Sequence, residues 1–128
     1  MKLLIDTHTA LWLFNDYENL SQAAKNCLRD ERNELYISIA SAWEVAIKHS
    51  LGKLTEFPGG VKLFLSEIYD CPIEIVGVLP EYIEKVEELP YIHRDPFDRL
   101  IIATAVCEDM TIVTSDDNIR KYDVKCVW

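Results

Sequence analysis

Short apolar segments alternate with amphipathic segments along the whole chain, and this alternation constrains the fold more than any other feature. Apolar or β-branched runs predict five strands, at residues 2–5, 34–38, 73–78, 111–114 and 124–128. Helical patterns occupy the intervals, at residues 7–14, 19–32, 41–51, 61–69, 80–88 and 97–108, with a helical turn at 117–121. Strands separated by helices form right-handed βαβ units, so we expect an α/β fold in three layers, a central parallel sheet of about five strands flanked by helices.

The size of the chain predicts a single domain over residues 1–128. A chain of this length buries enough surface to fold without disulfides or a structural metal, so any metal would serve chemistry. The longest near-apolar run, 100–107, is far shorter than the roughly 20 residues of a membrane span. Asp6 interrupts the apolar start too early for a signal peptide. The short apolar run, the absence of a signal-peptide pattern and the four singly scattered cysteines together predict a reduced, cytoplasmic protein with no membrane contact.

The charge balance limits the classes of binding partner. Lys and Arg number 13 against 22 Asp and Glu, which gives a net charge of -9. This is the wrong sign for a protein that holds nucleic acid by bulk electrostatics. A simple DNA-binding module is therefore disfavoured.

Four acidic residues fall near the ends of predicted strands. Asp6 ends the first strand and Asp116 follows the fourth. Glu44 lies in the first turn after the second strand, and Asp98 in the first turn of the helix before the fourth. In open α/β sheets, ligands bind beyond the carboxyl ends of the strands. We therefore expect these acids to share one rim of the sheet.

Each acid also has a purely structural interpretation. Asp6 can close an Asx-turn, and Asp116 or Asp117 can cap the short helix that follows. Ser41 and Glu44 match the capping-box pattern S-x-x-E. Taken singly, these structural interpretations are the stronger ones.

Asp98 has a structural interpretation as well, because the helix dipole favours a negative charge in the first turn, but its helical stripe is otherwise apolar. It shares that stripe with Ile101, Ile102 and Ala105, and no Lys or Arg lies four residues away. A carboxylate on a core-facing stripe needs a partner. The corresponding inference for Glu44 is weaker, because Lys48 is four residues away and can pair with it.

Clustered carboxylates repel one another unless a cation lies among them. Oxygen ligands without Cys or His favour a hard divalent ion, Mg²⁺ or Mn²⁺. Such an ion activates water and stabilises charge on a phosphodiester. The four acids therefore predict metal-dependent phosphodiester hydrolysis.

Four segments of the chain together carry a resemblance to a known family. They are residues 4–8 with 11–12, 38–48 (SIASAWEVAIK), 95–105 (DPFDRLIIATA) and 111–116 (TIVTSD). In this order and at these spacings, the chain resembles the PIN-domain ribonucleases, and among them the toxins of VapBC-type toxin-antitoxin pairs.

The resemblance implies a Mg²⁺-dependent endoribonuclease with a parallel sheet between helices. It assigns Asp6, Glu44, Asp98 and Asp116 as the catalytic and metal-binding quartet, with no departure from the family pattern. It also implies a homodimer that is silenced by a small antitoxin protein with a basic tail, and RNA as the substrate.

Residues around the quartet receive secondary predictions. Arg94 and Arg99 flank Asp98 and are expected to contact substrate phosphates, because a guanidinium forks onto phosphate oxygens. Thr114 is placed on the substrate side, where it orients Asp116 or a water molecule. Asp95 fits the N-cap before Pro96 better than a ligand role.

Other polar and aromatic residues are left between a structural and a functional role. His8 either contacts substrate or is a hydrogen-bonded turn residue, and Asp117 either helps to bind metal or caps. Basic residues cluster at Lys48, His49 and Lys53, where they are dipole partners of a helix end or part of a strip that binds RNA. Two tryptophans, at positions 12 and 43, are expected to pack in the core.

A non-catalytic binding module remains the alternative. In that hypothesis the acids only receive a basic partner protein, and no Mg²⁺-dependent cleavage occurs.

Overall fold

A sheet of five parallel strands forms the centre of the computed structural model, which describes residues 1–128. The strands are β1 (Lys2–Ile5), β2 (Glu34–Ser38), β3 (Ile73–Val76), β4 (Thr111–Val113) and β5 (Cys126–Val127). They stand side by side in the order β3-β2-β1-β4-β5. Every neighbouring pair is parallel, which confirms the α/β fold with a central parallel sheet.

Seven helices connect the strands. They are α1 (Thr7–Asn15), α2 (Gln22–Arg29), α3 (Ile39–Ser50), α4 (Gly60–Tyr69), α5 (Pro80–Glu88), α6 (Pro96–Glu108) and α7 (Asp117–Arg120). A single 3₁₀ turn, Tyr17–Asn19, precedes α2. None of the helices combines the length and the apolar character that crossing a bilayer requires.

Side chains of the central strand β1 are buried on both faces of the sheet. Ile5 packs in a cluster with residues of α1, α3 and α4 on one face. Leu4 points to the other face, where it packs with residues of α6 and α7. Because successive side chains of a strand alternate between faces, this short strand anchors both helical layers.

The strand order reverses between β1 and β4. After β1 the chain adds β2 and β3 on one side, and then returns to add β4 and β5 on the other. Ile5 pairs with Val113 in the register of the two strands, so they end at the same level. The backbone N–H of Asp6 donates to the Val113 carbonyl at 3.3 Å. Such a reversal leaves a crevice at the carboxyl ends of the strands, where ligands bind in open α/β sheets.

The capping box predicted at Ser41 and Glu44 is wrong, because α3 begins earlier in the chain, at Ile39. Strand β2 runs directly into the helix, and the Ser38 hydroxyl accepts from the Ala40 N–H at 3.1 Å. Ser41 is therefore inside the helix, and its hydroxyl oxygen accepts from the Thr7 hydroxyl at 2.9 Å. Glu44 has no capping role, so the structural interpretation of this acid is wrong.

Candidate active site

The four predicted acids lie in one pocket at the strand reversal. Asp6, Glu44, Asp98 and Asp116 all line a pocket of about 250 Å³, beyond the carboxyl ends of β1 and β4. Asp95, Lys48 and Lys53 line the same pocket. The structure therefore brings together the residues whose proximity was predicted from the sequence.

Asp6 both caps α1 and faces this pocket. Its Oδ1 accepts from the Thr9 N–H at 2.7 Å, and its Oδ2 accepts from the Thr114 hydroxyl. Burial raises the pKa of Asp6 above its ordinary value, while the hydrogen bonds from Thr114 and Thr9 lower it. The local structural role of Asp6 is thus a helix N-cap rather than the Asx-turn proposed from the sequence, and this role does not exclude a function in the site.

Thr114 connects Asp6 with Asp116. Its hydroxyl oxygen also accepts from the Asp116 N–H at 3.0 Å, and Asp116 in turn caps α7 by accepting from the Asn118 N–H at 2.8 Å. Thr114 is fully buried and does not line the pocket. The prediction that Thr114 orients Asp116 is confirmed, whereas the predicted substrate contact is wrong, because the hydroxyl is bonded to the two acids.

Glu44 has one paired and one unpaired carboxylate oxygen. Oε2 forms an ion pair with Lys48 Nζ at 2.5 Å. Oε1 is the only buried side-chain nitrogen or oxygen in the protein without a hydrogen-bond partner. A buried oxygen without a donor is energetically costly, so Oε1 is a natural ligand position for a cation.

Asp98 lies in the first turn of α6, directly after the cap of that helix. Asp95 accepts from the Phe97 and Asp98 N–H groups at 2.9 and 3.1 Å, which confirms it as the N-cap. The pKa of Asp98 is raised to about 7, first by burial and then by the negative charges of Asp95, Asp116 and Glu44. The carboxylates of Asp95, Asp116 and Glu44 therefore disfavour ionisation of Asp98.

His93 is a residue of the site that the sequence analysis missed. Its Nε2 lies 3.1 Å from Asp98 Oδ2, and this hydrogen bond lowers the pKa of Asp98 against the effect of burial. The sequence feature that could have pointed to His93 is its position two residues before Asp95, the N-cap of α6. From there the chain passes close to the first turn of α6, within reach of the Asp98 side chain.

The phosphate contact predicted for Arg99 is wrong, because this residue is only 5% exposed. Its guanidinium donates to the carbonyls of Pro90 and Val86 and to the Tyr122 hydroxyl, at 2.9 to 3.0 Å. These bonds tie α6 to the end of α5 and hold the guanidinium inside the protein. Arg94 is exposed, and its predicted contact with phosphate stays a prediction.

Basic residues at the pocket are Lys48 and Lys53. Burial lowers the pKa of Lys48, but its hydrogen bond to Glu44 and the charges of Glu44, Asp95 and Asp98 raise it above its ordinary value. His49 is not part of the lining, since its Nε2 lies 3.0 Å from the Pro58 carbonyl oxygen. The predicted basic cluster thus contributes two lysines to the site.

Aromatic residues near the pocket differ from expectation. His8 lines the pocket and packs edge-on against Trp12, with ring centroids 4.7 Å apart, rather than forming a hydrogen-bonded turn. Trp12 is half-buried, as a packing residue should be. Trp43 is 63% exposed and contacts Phe97 edge-on at 5.2 Å, so its prediction as a core residue is wrong.

The donor set of the pocket fits a hard divalent cation. All four acids offer oxygen ligands, and one of these oxygens, Glu44 Oε1, has no hydrogen-bond partner. A cation in the pocket would also relieve the charge repulsion that helps to raise the pKa of Asp98. No group of three or more His, Cys, Asp and Glu side chains is arranged so that it could hold a metal ion by itself. Mg²⁺ needs no such set, since it commonly keeps several waters and binds through one or two carboxylates and substrate phosphates.

Comparisons with known proteins agree on the fold. Over 121 residues the chain is 28% identical to Ribonuclease VapC22 of Mycobacterium tuberculosis (strain ATCC 25618 / H37Rv), covering 94% of this chain and 91% of that protein. VapBC2 from Rickettsia felis, solved bound to a DNA fragment from their promoter, superposes with a TM-score of 0.68 at 22% identity. DNA-bound VapBC from Salmonella typhimurium gives 0.67 at 15% identity. The superposed regions cover 99% of this chain in both cases, and 98% and 97% of those chains.

The family model of the PIN domain matches residues 3–125, which is nearly the whole chain. Its span includes the sheet, all four acids of the pocket and the helices that carry them. This protein belongs to the PIN domain family.

Proposed function

We propose that this protein is a Mg²⁺-dependent endoribonuclease and the toxin of a toxin-antitoxin pair. The observation that carries the proposal is the convergence of Asp6, Glu44, Asp98 and Asp116 on one pocket at the strand reversal. Membership of the PIN domain family supports it, as does the similarity to a protein named Ribonuclease VapC22.

The four acids would hold the ion through the oxygens that the fold leaves available. Glu44 Oε1 has no other partner, and the Asp98 side chain makes one hydrogen bond, with His93 Nε2. Asp6 and Asp116 are held in fixed orientations by Thr114 and by their helix caps. A bound Mg²⁺, or Mn²⁺ in its place, supplies Lewis-acid chemistry that activates water and neutralises charge on the scissile phosphate.

Binding of RNA depends on local cations, because the net charge of -9 repels a polyanion. Lys53 lines the pocket and makes no ion pair, and Arg94 is exposed beside the start of α6. These two side chains are the protein groups proposed to contact phosphates. Lys48 has a different task, since its ion pair holds Glu44 in place.

The proposed partner is a small antitoxin protein with a basic tail. VapBC complexes are among the structures with the same fold, and the acidic pocket is electrostatically complementary to a cationic segment. The proposal includes the homodimer and the cytoplasmic location expected from the sequence.

The direct experiment incubates purified protein with mixed RNA, in Mg²⁺ and in EDTA. The parent should cleave only with Mg²⁺, and Asp98→Asn should lose at least the 10- to 100-fold typical of disturbed metal sites. Asp117→Asn is the matched control, since it removes one charge beside the site from an exposed residue that does not line the pocket. Equal cleavage by parent and Asp98→Asn would disprove the proposal.

The binding-module hypothesis is tested in the same experiment. It predicts no Mg²⁺-dependent cleavage by the parent, together with tight binding of a cationic peptide. Cleavage that both EDTA and Asp98→Asn abolish would exclude it.

A further inference from the structure

The imidazole of His93 lies between the acidic pocket and the interior of the protein. It occupies the segment between α5 and α6, and its side chain is nearly buried. Nε2 lies 3.1 Å from Asp98 Oδ2, and Nδ1 lies 2.9 Å from the Tyr122 hydroxyl. Each ring nitrogen therefore has one partner, and the tautomer decides which nitrogen donates.

The Tyr122 hydroxyl receives two hydrogen bonds from groups that can only donate. The guanidinium of Arg99 donates through Nη1 at 3.0 Å, and the backbone N–H of His93 donates at 3.3 Å. A hydroxyl oxygen has two acceptor sites, and both are then used. The hydroxyl proton is left to be donated, and Nδ1 of His93 is the acceptor within reach.

This arrangement determines the tautomer of His93. Because Nδ1 accepts from Tyr122, the ring proton of the neutral imidazole lies on Nε2. Nε2 then donates to Asp98, which accepts as a carboxylate. The opposite tautomer would direct Nδ1–H at a hydroxyl with no free acceptor site, and the Nε2 lone pair at a carboxylate oxygen.

Arg99 fixes the far end of this chain of hydrogen bonds. The guanidinium also donates to the carbonyls of Pro90 and Val86, and it packs over the Tyr91 ring at 4.7 Å. The four residues Arg99, Tyr122, His93 and Asp98 are each buried or partly buried, and in this order they connect the end of α5 to the acidic pocket. Connected groups of this kind orient metal ligands in other proteins.

We propose that His93 is a positioning residue for Asp98, and that Tyr122 and Arg99 fix it as the tautomer protonated on Nε2. The effect on RNA cleavage rests on the proposed nuclease function, whereas the tautomer and its effect on metal affinity do not. His93 holds one carboxylate oxygen in a fixed place, so the Asp98 carboxylate keeps its orientation in the pocket.

The first test is the tautomer in the metal-free protein. Long-range ¹H–¹⁵N correlation spectra at about pH 8 distinguish Nε2–H from Nδ1–H in neutral imidazoles. The chain has three histidines, so His8→Gln and His49→Gln assign the remaining signal to His93. The expected result is Nε2–H, and a spectrum showing Nδ1–H would overturn the proposal without any variant of His93.

The second test measures Mn²⁺ affinity by electron paramagnetic resonance, without RNA. His93→Gln keeps an N–H donor near the position of Nε2 and should stay within about threefold of the parent, whereas His93→Ala should bind roughly 10-fold more weakly. Tyr122→Phe keeps the ring and removes the hydroxyl, so it should weaken Mn²⁺ and lower kcat more than it changes KM. Equal Mn²⁺ affinity in parent, His93→Ala and Tyr122→Phe would refute the positioning role.

These readouts separate the two proposals. A protein that shows Nε2–H and the expected order of Mn²⁺ affinities but cleaves no RNA retains the positioning role and loses the nuclease function. A protein that cleaves RNA with His93 as the Nδ1–H tautomer loses the positioning role alone.

Discussion

The pKa of Asp98 rises from its ordinary value of 3.8 to about 7, because the side chain is buried and surrounded by the charges of Asp95, Asp116 and Glu44. Between those two values the folded protein binds a proton that the unfolded chain has already released. Ionisation of Asp98 therefore lowers the free energy of unfolding as pH rises through this window. Above about pH 7 the loss is complete. The metal-free site thus costs stability at the pH where the site is proposed to act.

Asp98→Asn should therefore stabilise the metal-free protein while removing its activity. At about pH 8, with EDTA present, the expected gain is on the order of 1–2 kcal/mol. This is less than the full pKa shift implies, because the variant also weakens the bond to His93. At about pH 5 the gain should be clearly smaller, because most of the window between 3.8 and about 7 lies above that pH. Urea unfolding at both pH values measures this difference, and an equal effect at both would contradict the role of ionisation.

At the scale of secondary-structure elements, three helices begin at the pocket with an acid as the N-cap. Asp6 caps α1, Asp95 caps α6 and Asp116 caps α7. The N-terminal end of a helix carries partial positive charge, which favours nearby carboxylates. The same residues can therefore satisfy a helix and face a cation, so a structural role is no argument against a functional one.

Replacement of Asp95 separates its helix-capping role from its charge. Asp95→Ala removes the acceptor of two N–H groups and should cost about 1 kcal/mol of stability, whereas Asp95→Asn should cost only a few tenths. Urea unfolding in EDTA measures both. Equal destabilisation by Ala and Asn would show that the carboxylate charge, rather than the cap, stabilises this end of α6.

Sequence patterns located every strand and helix, but placed several ends incorrectly. Residues 19–32 were predicted to be helical, and the helix covers Gln22–Arg29 because Ser21 caps it and a 3₁₀ turn precedes it. The helix predicted from residue 41 starts at Ile39, because the Ser38 hydroxyl at the end of β2 serves as its cap. These ends are set by single hydrogen bonds, which periodicity does not resolve.

Side chains whose partners are distant in sequence were the least predictable part of the site. The four acids were found because strand ends follow from local patterns and the sheet rule brings them together. Arg99 and His93 depend instead on Tyr122, more than 20 residues further along the chain. No periodicity connects those positions. A buried arginine therefore looked like a surface contact, and the positioning histidine was missed.

At the scale of the whole molecule, the negative charge disfavours the binding of RNA and favours the binding of a cationic partner. The net charge is -9, and neutralising the four pocket acids would still leave -5. The remaining surface repels RNA and attracts cations at long range. Under the proposed function, a bound ion and a few basic side chains would have to retain RNA, whereas a basic protein segment would be attracted by the surface itself.

Binding of a cationic peptide should accordingly depend on salt. Raising NaCl from about 50 mM to about 500 mM should weaken the complex by about 10-fold or more, because screening shortens the reach of the acidic surface. Isothermal titration calorimetry measures this, with a peptide of the same length carrying Gln in place of Lys and Arg as the control. Affinity that does not change with salt would show that contacts other than charge hold the partner.

The central claim is that Asp6, Glu44, Asp98 and Asp116 act together on one divalent ion. Anomalous diffraction from crystals soaked in Mn²⁺ locates the ion directly. We expect a peak inside the pocket, in contact with Asp98 and at least one other acid of the four, and its loss in Asp98→Asn. A pocket without a peak at saturating Mn²⁺, or a peak bound only by surface carboxylates elsewhere, would contradict the claim.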